Sequence, residues 1–333
     1  MSQLLPPDRR DERLSPGQVA FFGIAALVSV AVLVAFPPNR LLGSVFGSAP
    51  PPARLAAAAA AFGESGDVRL QVRLPNETFN FPLTDTLKAG TRYLWVRAVD
   101  SGAVTMDALM AGDTVRAPSK SGLYRLAITA EGRRDVIGDI VVAVLVPFSE
   151  KLGSSLHGYR IGTYTWERAR GDATPPPPGF VEVWAEDAEL LVTSHLQLAD
   201  FLTHDAQEQW PKYVALDRRI LDKVELVLAR LGARDRPMDV SVHSGFRTPL
   251  HNRRVPRAAS DSRHQYGDAI DLALDADGDG RVSYFDILAV AKAVERVEAD
   301  YPALVGGLGV YGNRGNAPYV HIDVRGERKR WRG

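Results

Sequence analysis

The chain has no cysteine among its 333 residues. Disulfides are therefore excluded, and any zinc it carries must be held by His, Asp or Glu rather than by thiolate. The absence is compatible with an oxidising compartment. Net charge is also missing, since 40 basic and 40 acidic residues cancel. Nothing in that balance points to nucleic acid as a partner. Histidine is scarce, and six of the seven stand at or beyond His195, so imidazole chemistry belongs to the last part of the chain. What remains is ordinary globular composition, 45% hydrophobic and 24% charged. The length suffices for two or three domains.

Long apolar runs are missing too, save one. Val19 to Phe36 reads VAFFGIAALVSVAVLVAF, with no charge and a single serine. As a helix it spans roughly 27 Å at ~1.5 Å per residue, close to the hydrocarbon thickness of a bilayer. Pro37 and Pro38 stop it. Arg9, Arg10 and Arg13 precede it and keep the amino terminus in the cytoplasm. A cleaved signal peptide is the competing reading, but its apolar core is normally only ~7–15 residues, and no clean A-x-A site follows closely. The length favours an uncleaved anchor. The expectation is a single-pass inner-membrane protein with a cytoplasmic tail (1–16), an anchor (17–37) and the remainder in the periplasm or outside the cell.

Residues 38–65 are rich in Pro, Ala, Gly and Ser and read as a linker. In 66–148 the pattern turns to β, with Val68, Leu70, Val72 and Leu74 alternating with other residues. Further apolar, β-branched runs follow at Tyr93–Val99, Leu123–Thr129 and Asp139–Val146. Several short strands with regular turn signals predict a small β-sandwich-like domain, and no catalytic constellation falls within it. Pro175 to Pro178 make 149–190 a rigid connector. Over Tyr213–Gly232 the period changes: Leu216, Ile220, Val224, Leu228 and Leu231 mark one helical face.

Residues 191–333 hold the chemistry. Val240 and Val242 alternate as in a strand, which Gly245 breaks before Arg247. Ile270, Leu272 and Leu274 face a core, so Asp271 points the other way. Val320, Ile322 and Val324 form one face of another strand, and His321 and Asp323 share the opposite face. Leu308–Tyr311 reads as a neighbouring strand. Two imidazoles and one carboxylate leave a fourth position for water, the arrangement of a catalytic zinc rather than a structural one.

Three pieces occur in order: Ser244-Gly-Phe-Arg247, Ser262-x-His264-x2-Gly-x-Ala-x-Asp271 and Val320-His321-Ile-Asp323. Together with Arg330-Trp331 near the end, they resemble the zinc D-Ala-D-Ala carboxypeptidase family, and above all its murein-endopeptidase branch. That family shares its fold with lysostaphin-type peptidases and the hedgehog signalling domain. The resemblance covers roughly residues 190–333. It implies an α+β domain with an antiparallel sheet, zinc on His264, Asp271 and His321, and peptide stems of peptidoglycan as substrate. It implies that Arg247 binds a substrate carboxylate or steadies an oxyanion, and that Asn252 and Ser262 position a loop or the substrate. Several relatives carry a Glu or His base two or three residues before the last zinc ligand, where this chain has Pro318 and Tyr319. Asp323 is then either the base or a partner that orients His321; Asp268 and His243 are weaker candidates for the base. The alternative to a peptidase is a zinc-containing, non-catalytic peptidoglycan-binding module, because this fold is able to keep its metal without turnover.

A second motif follows at once. Asp275, Asp277, Asp279, Arg281 (through its carbonyl) and Asp286 fit the calcium-loop spacing of an EF-hand over 275–286, with Gly280 at the sixth position. Ile287, Leu288, Ala291 and Val294 would mark the exiting helix. The expected cofactors are therefore zinc and calcium. An acidic surface turn is the plainer reading.

Overall fold

The computed structural model describes residues 62–81, 83, 91–99, 108–109, 114–130, 133–169, 173–312 and 317–333. The expected anchor, Val19–Phe36, lies outside them. Among the described residues no helix is long and apolar enough to cross a membrane.

The first part of the chain is built of strands β1 (Leu70–Arg73), β2 (Thr78–Asn80), β3 (Arg92–Arg97), β4 (Ala108–Leu109), β5 (Thr114–Arg116), β6 (Gly122–Ala130), β7 (Arg133–Val136) and β8 (Val141–Val144). Six form one sheet in the order β1-β8-β6-β3-β4, with β7 on β6, and β2 and β5 form a separate antiparallel ribbon. The sheet is mixed, because β1 and β8 run parallel. β8 reads Val-Val-Ala-Val and is buried throughout, as a strand covered on both faces must be. Val142 and Val144 pack with Phe79, Phe81, Trp95 and Leu126. Val141 and Ala143 face the other way, into a core that also holds Leu70, Phe180, Ile220, Ile270 and Ile322.

The sandwich expectation is corrected accordingly. Among the described residues the sheet has a two-stranded ribbon on one face, and its other face is part of the core beneath the C-terminal domain. The described residues from Phe62 onward belong to one compact unit, Arg54–Gly333.

The connector is also more than a spacer. Strands β9 (Val146–Pro147), β10 (Ser155–Leu156), β11 (Tyr159–Arg160), β12 (Gly179–Val183) and β13 (Lys212–Val214) follow. β12 joins β9 and β13 in a three-stranded sheet, and its Phe180, Val181 and Val183 are buried. The proline run itself carries no regular structure, as its rigid φ requires. The helix expected over 213–232 spans Arg218–Arg230, started by the Asp217 side chain accepting from the Arg219 amide. Tyr213 and Val214 are strand instead.

The last five strands are β14 (Val240–Ser244), β15 (Ala269–Leu274), β16 (Gly307–Tyr311), β17 (Tyr319–Asp323) and β18 (Lys329–Arg332), in the order β14-β15-β17-β16-β18. All neighbours are antiparallel except β16 and β18, which run parallel. The sheet is therefore mixed rather than purely antiparallel. Helix Tyr284–Asp300 packs against it through Ile287, Val290, Val294 and Val297. Of the residues that marked this helix, Leu288 is exposed.

Candidate metal centre

The register of the last sheet brings the polar residues together. Asp271 on β15 stands directly opposite His321 on β17. On the other side Asp271 pairs with Ser244 of β14, across an irregularity between Val242 and Ser244. A bulge of this kind re-aims the side chains beside it. His264 arrives from a 3-10 turn, Arg263–Tyr266, which ends on Gly267 at φ 71°. Only glycine suits that position, because a Cβ there would overlap the carbonyl of Ala215.

His264, Asp271 and His321 converge. His264 Nε2 is 3.1 Å from Asp271 Oδ1, His321 Nδ1 is 2.8 Å from the same oxygen, and the two ring nitrogens are 3.1 Å apart. The three residues are buried and their ligand atoms form a metal-competent group. The partners behind them fix the tautomers. His264 Nδ1 lies 2.7 Å from the Gly245 carbonyl, which only accepts, so that nitrogen carries the proton. His321 Nε2 lies 3.1 Å from Asp323 Oδ2 and donates to it. Both imidazoles therefore turn lone pairs toward the Asp271 oxygen. Three acceptors facing one another repel unless a cation sits among them. Tetrahedral zinc with bonds of ~2.0–2.1 Å holds its ligands roughly 3.3 Å apart, close to the spacing observed. The residues fit zinc.

Burial and the mutual charges set the protonation of the group. Burial pushes the His264 imidazole below its ordinary pKa, against the pull of Asp271. Burial works the same way on His321, but Asp271 and Asp323 outweigh it and raise that ring. Burial opposes ionisation of Asp271, yet the two histidines hold it well below the usual carboxylate range. An ionised Asp271 and a neutral His264 are the charge states a divalent cation requires, and the cation would displace the proton that the two carboxylates favour on His321.

The other expected residues fall into different places. Arg247 donates from Nε to Ser244 Oγ at 2.7 Å and from Nη2 to Asp271 Oδ2 at 2.5 Å. It thus holds the second oxygen of the carboxylate, and its Nη1 has no partner among the described residues. Asp323 is fully buried behind His321. It accepts from the amides of Gly307 (2.7 Å) and Arg325 (3.1 Å) and from the Arg325 guanidinium. It does not line the cleft. Of the two roles open to it, orienting His321 is the one the geometry accommodates. Asp268 is buried in an ion pair with Arg263, and exposed His243 lies against Tyr319; neither lines the cleft. Buried Asn252 ties down its loop by donating to the Ala259 carbonyl, and Ser262 precedes the His264 turn.

The cleft over the group holds about 600 Å³. Its aromatic side consists of Tyr311 and Tyr319, stacked at 4.4 Å, and Trp331, whose ring centre is 5.2 Å from that of His321. Trp331 Nε1 donates to Tyr311 Oη at 2.6 Å. Burial, with Asp271 nearby, raises the Tyr319 phenol to about 12. It is thus a proton-bearing donor at neutral pH and not a base. Tyr311 and Arg325 were not legible as cleft residues; the signals for the others were the alternation that puts Tyr319 on the face of His321 and the Arg330-Trp331 pair near the end.

In the acidic loop, carboxylate oxygens of Asp275, Asp277 and Asp286 cluster. Asp279 and Arg281 stand outside that group, and the Arg281 amide donates to Asp279 Oδ1 at 2.8 Å. Asp275 accepts from the amides of Gly278, Asp279 and Gly280. Asp286 accepts from the amides of Ala276, Asp277 and Ser283 and, as the third residue of helix Tyr284–Asp300, completes a capping box with the N-cap Ser283.

Residues 182–331 match the family model described as Peptidoglycan L,D-endopeptidase MepK (Peptidase_M15_2). That span contains the whole metal group, Arg247 and Asp323. No curated protein matches the chain. Among solved structures, the chain is similar to the crystal structure of Serratia marcescens L-Ala D-Glu endopeptidase ChiX. The identity is 23%, over 33% of this chain and 83% of that one, with a TM-score of 0.25.

Proposed function

We infer, from the premise that residues 182–331 are a peptidase domain of the M15 family, that the protein is a zinc hydrolase of peptidoglycan peptides and cuts them internally at an L,D bond. The observation that carries this reading is the convergence of His264, Asp271 and His321 at the floor of an open cleft. These three residues would hold the zinc. When bound, zinc lowers the pKa of a water and polarises a scissile carbonyl.

The chain's own residues do the rest. The Gly245 carbonyl and Asp323 keep each imidazole in the tautomer that presents a lone pair. Arg247 holds Asp271 through Nη2 and leaves Nη1 for the carbonyl oxygen of a peptide in the cleft, where negative charge develops during attack. The Tyr319 phenol, protonated at neutral pH, is a second donor on the same side. Tyr311 and Trp331 offer flat apolar surface to the peptide backbone.

Two further elements belong to the proposal. The loop 275–286 would take calcium through Asp275, Asp277 and Asp286, with Asp279 and the Arg281 carbonyl completing the shell. Only Leu272, Ala273 and Leu274 separate Asp275 from the zinc ligand Asp271, so the ion would stiffen the strand that presents it. Val19–Phe36 would anchor the chain in the inner membrane, with the peptidase outside the cytoplasm.

The test is digestion of defined cross-linked muropeptides by the full chain. Cleavage should stop with a chelator, return with zinc and be lost in His264→Ala, with mass spectrometry locating the bond. Tight peptidoglycan binding without any new amine terminus would sink the hydrolase reading.

A further inference from the structure

Among the described residues four arginines line the cleft above the metal group: Arg247, Arg257, Arg263 and Arg325. Three are committed to carboxylates. Arg247 pairs with Asp271, Arg263 with Asp268 and Arg325 with Asp323. Their charges are balanced inside the protein, and their geometry is fixed by what they hold. Arg257 differs. Its exposed guanidinium has no partner among the described residues.

Its backbone is unusual as well. Arg257 sits at φ 61°, in the left-handed region that L side chains rarely adopt. It shares that property with only two other non-glycine residues among those described, Asn76 and His157. Such strain persists where the surrounding structure imposes it, and it gathers at ligand-binding positions. Pro256 precedes Arg257 and Val255 accepts the Ala258 amide at 3.2 Å, so the turn is a defined one. A solvated surface arginine needs neither the strain nor a place on the cleft wall.

We propose that Arg257 is a specificity-determining residue that receives a free carboxylate of the substrate peptide, at the side of the cleft formed by the 253–262 loop. The inference rests on the peptidase reading above and deepens it. A guanidinium presents a planar fork of donors that matches a carboxylate, and an unpaired one loses no internal partner when the ligand arrives. Arg253 and Arg254, exposed on the same loop, add to the positive field that draws an anion in. The other three arginines described in the cleft each hold an internal carboxylate, Arg247 keeping only Nη1 for the scissile carbonyl, so among the described residues selectivity for an anionic peptide falls to Arg257. Its substrate is a stem peptide with a free carboxylate rather than the amidated form.

The test compares two cross-linked stem peptides, identical except that the carboxylates outside the scissile bond are free in one and amidated in the other. In both, the scissile amide is reduced to a methyleneamine so that neither is cut. Dissociation constants are measured by calorimetry on the zinc-loaded full chain, at low salt. The wild type should favour the free carboxylate about tenfold, and R257Q should close the gap to about twofold. R257K should keep part of the preference. R257G, which removes the backbone strain along with the charge, should resemble R257Q. Absence of a preference in the wild type, or one undiminished in R257Q, overturns the proposal. The hydrolysable parent peptides are digested in parallel. If they stay intact while the Arg257-dependent preference holds, the peptidase reading fails and the carboxylate site stands. If they are cut while R257Q discriminates like the wild type, this inference alone is lost.

Discussion

Asp323→Asn separates the two roles that the sequence left open for this residue. Asp323 Oδ1 is occupied by the Gly307 and Arg325 amides, and Oδ2 accepts the proton of His321 Nε2. Asparagine keeps the shape and retains an oxygen for the two amides. Its NH2 group then faces His321 Nε2. Two donors do not bond, so the imidazole moves its proton to Nδ1, the nitrogen 2.8 Å from Asp271 Oδ1. The lone pair offered to the metal is lost in that tautomer. Replacing such an orienting partner typically weakens metal binding 10–100-fold, or about 1.4–2.7 kcal/mol. The tautomer argument places this variant near the upper end. Arg325, a fifth exposed, loses its carboxylate at the same time, and partial solvation limits that cost to about 1 kcal/mol.

The assay has two arms: zinc retained per chain at buffered free zinc, and muropeptide cleavage at saturating zinc. The orienting role predicts a large drop in the first and recovery of most activity in the second. A general base would show the reverse, with zinc binding intact and turnover down by about 10²–10⁴ at full occupancy. Wild-type zinc affinity in Asp323→Asn would refute the tautomer argument outright.

Other perturbations have equally definite outcomes. Lys223, fully buried, donates to Glu298 at 2.6 Å and to the Asp323 carbonyl at 2.8 Å; Lys223→Met should cost about 2–4 kcal/mol in denaturant unfolding, and a neutral result means that Arg330 suffices for Glu298. Gly267→Ala puts a Cβ against the Ala215 carbonyl at positive φ and should cost about 3 kcal/mol or more; wild-type stability would show that the turn before Asp271 adapts. Hydrogen bonds from Arg330, against partial burial and aided by Arg328, hold Glu295 below its ordinary value. A depressed carboxylate contributes stability that is present above the unfolded pKa of ~4.3 and is lost as pH falls through the folded value. Glu295→Gln should therefore lower the melting temperature at neutral pH and flatten its fall in acid. An unchanged acid slope would mean that the β18 tether contributes nothing.

Much of the C-terminal sheet was legible because alternation along a strand is a local property. Val320, Ile322 and Val324 are buried as read, and β16 lies beside β17. What was missed depends on partners distant in sequence. The parallel pairs β1/β8 and β16/β18 join segments that no turn signal connects. The connector hid β12 because Pro175–Pro178 dominate its composition, while its buried core residues Phe180, Val181 and Val183 find their partners in β9 and β13. The helix began late for a local reason available in advance: Asp217 is a natural cap, and Tyr213-Val214 is a strand pair.

The site divides along the same line. Alternation correctly put His321 and Asp323 on one face, and that shared face made both look accessible. A face has depth as well as a side. Which nitrogen of His321 turns to the cleft is set by Asp271 across the strand pair and by the Gly307 amide, which holds Asp323 back in the fold. Neither contact leaves a trace in local spacing. The same holds for charge. The sequence offered Arg247 alone as a substrate-binding arginine; the fold adds Arg257, Arg263 and Arg325 to the cleft wall, and pairs Arg247, Arg263 and Arg325 with Asp271, Asp268 and Asp323. Among the described cleft arginines Arg257 alone holds no internal carboxylate, and that difference turns a general attraction for anions into a position.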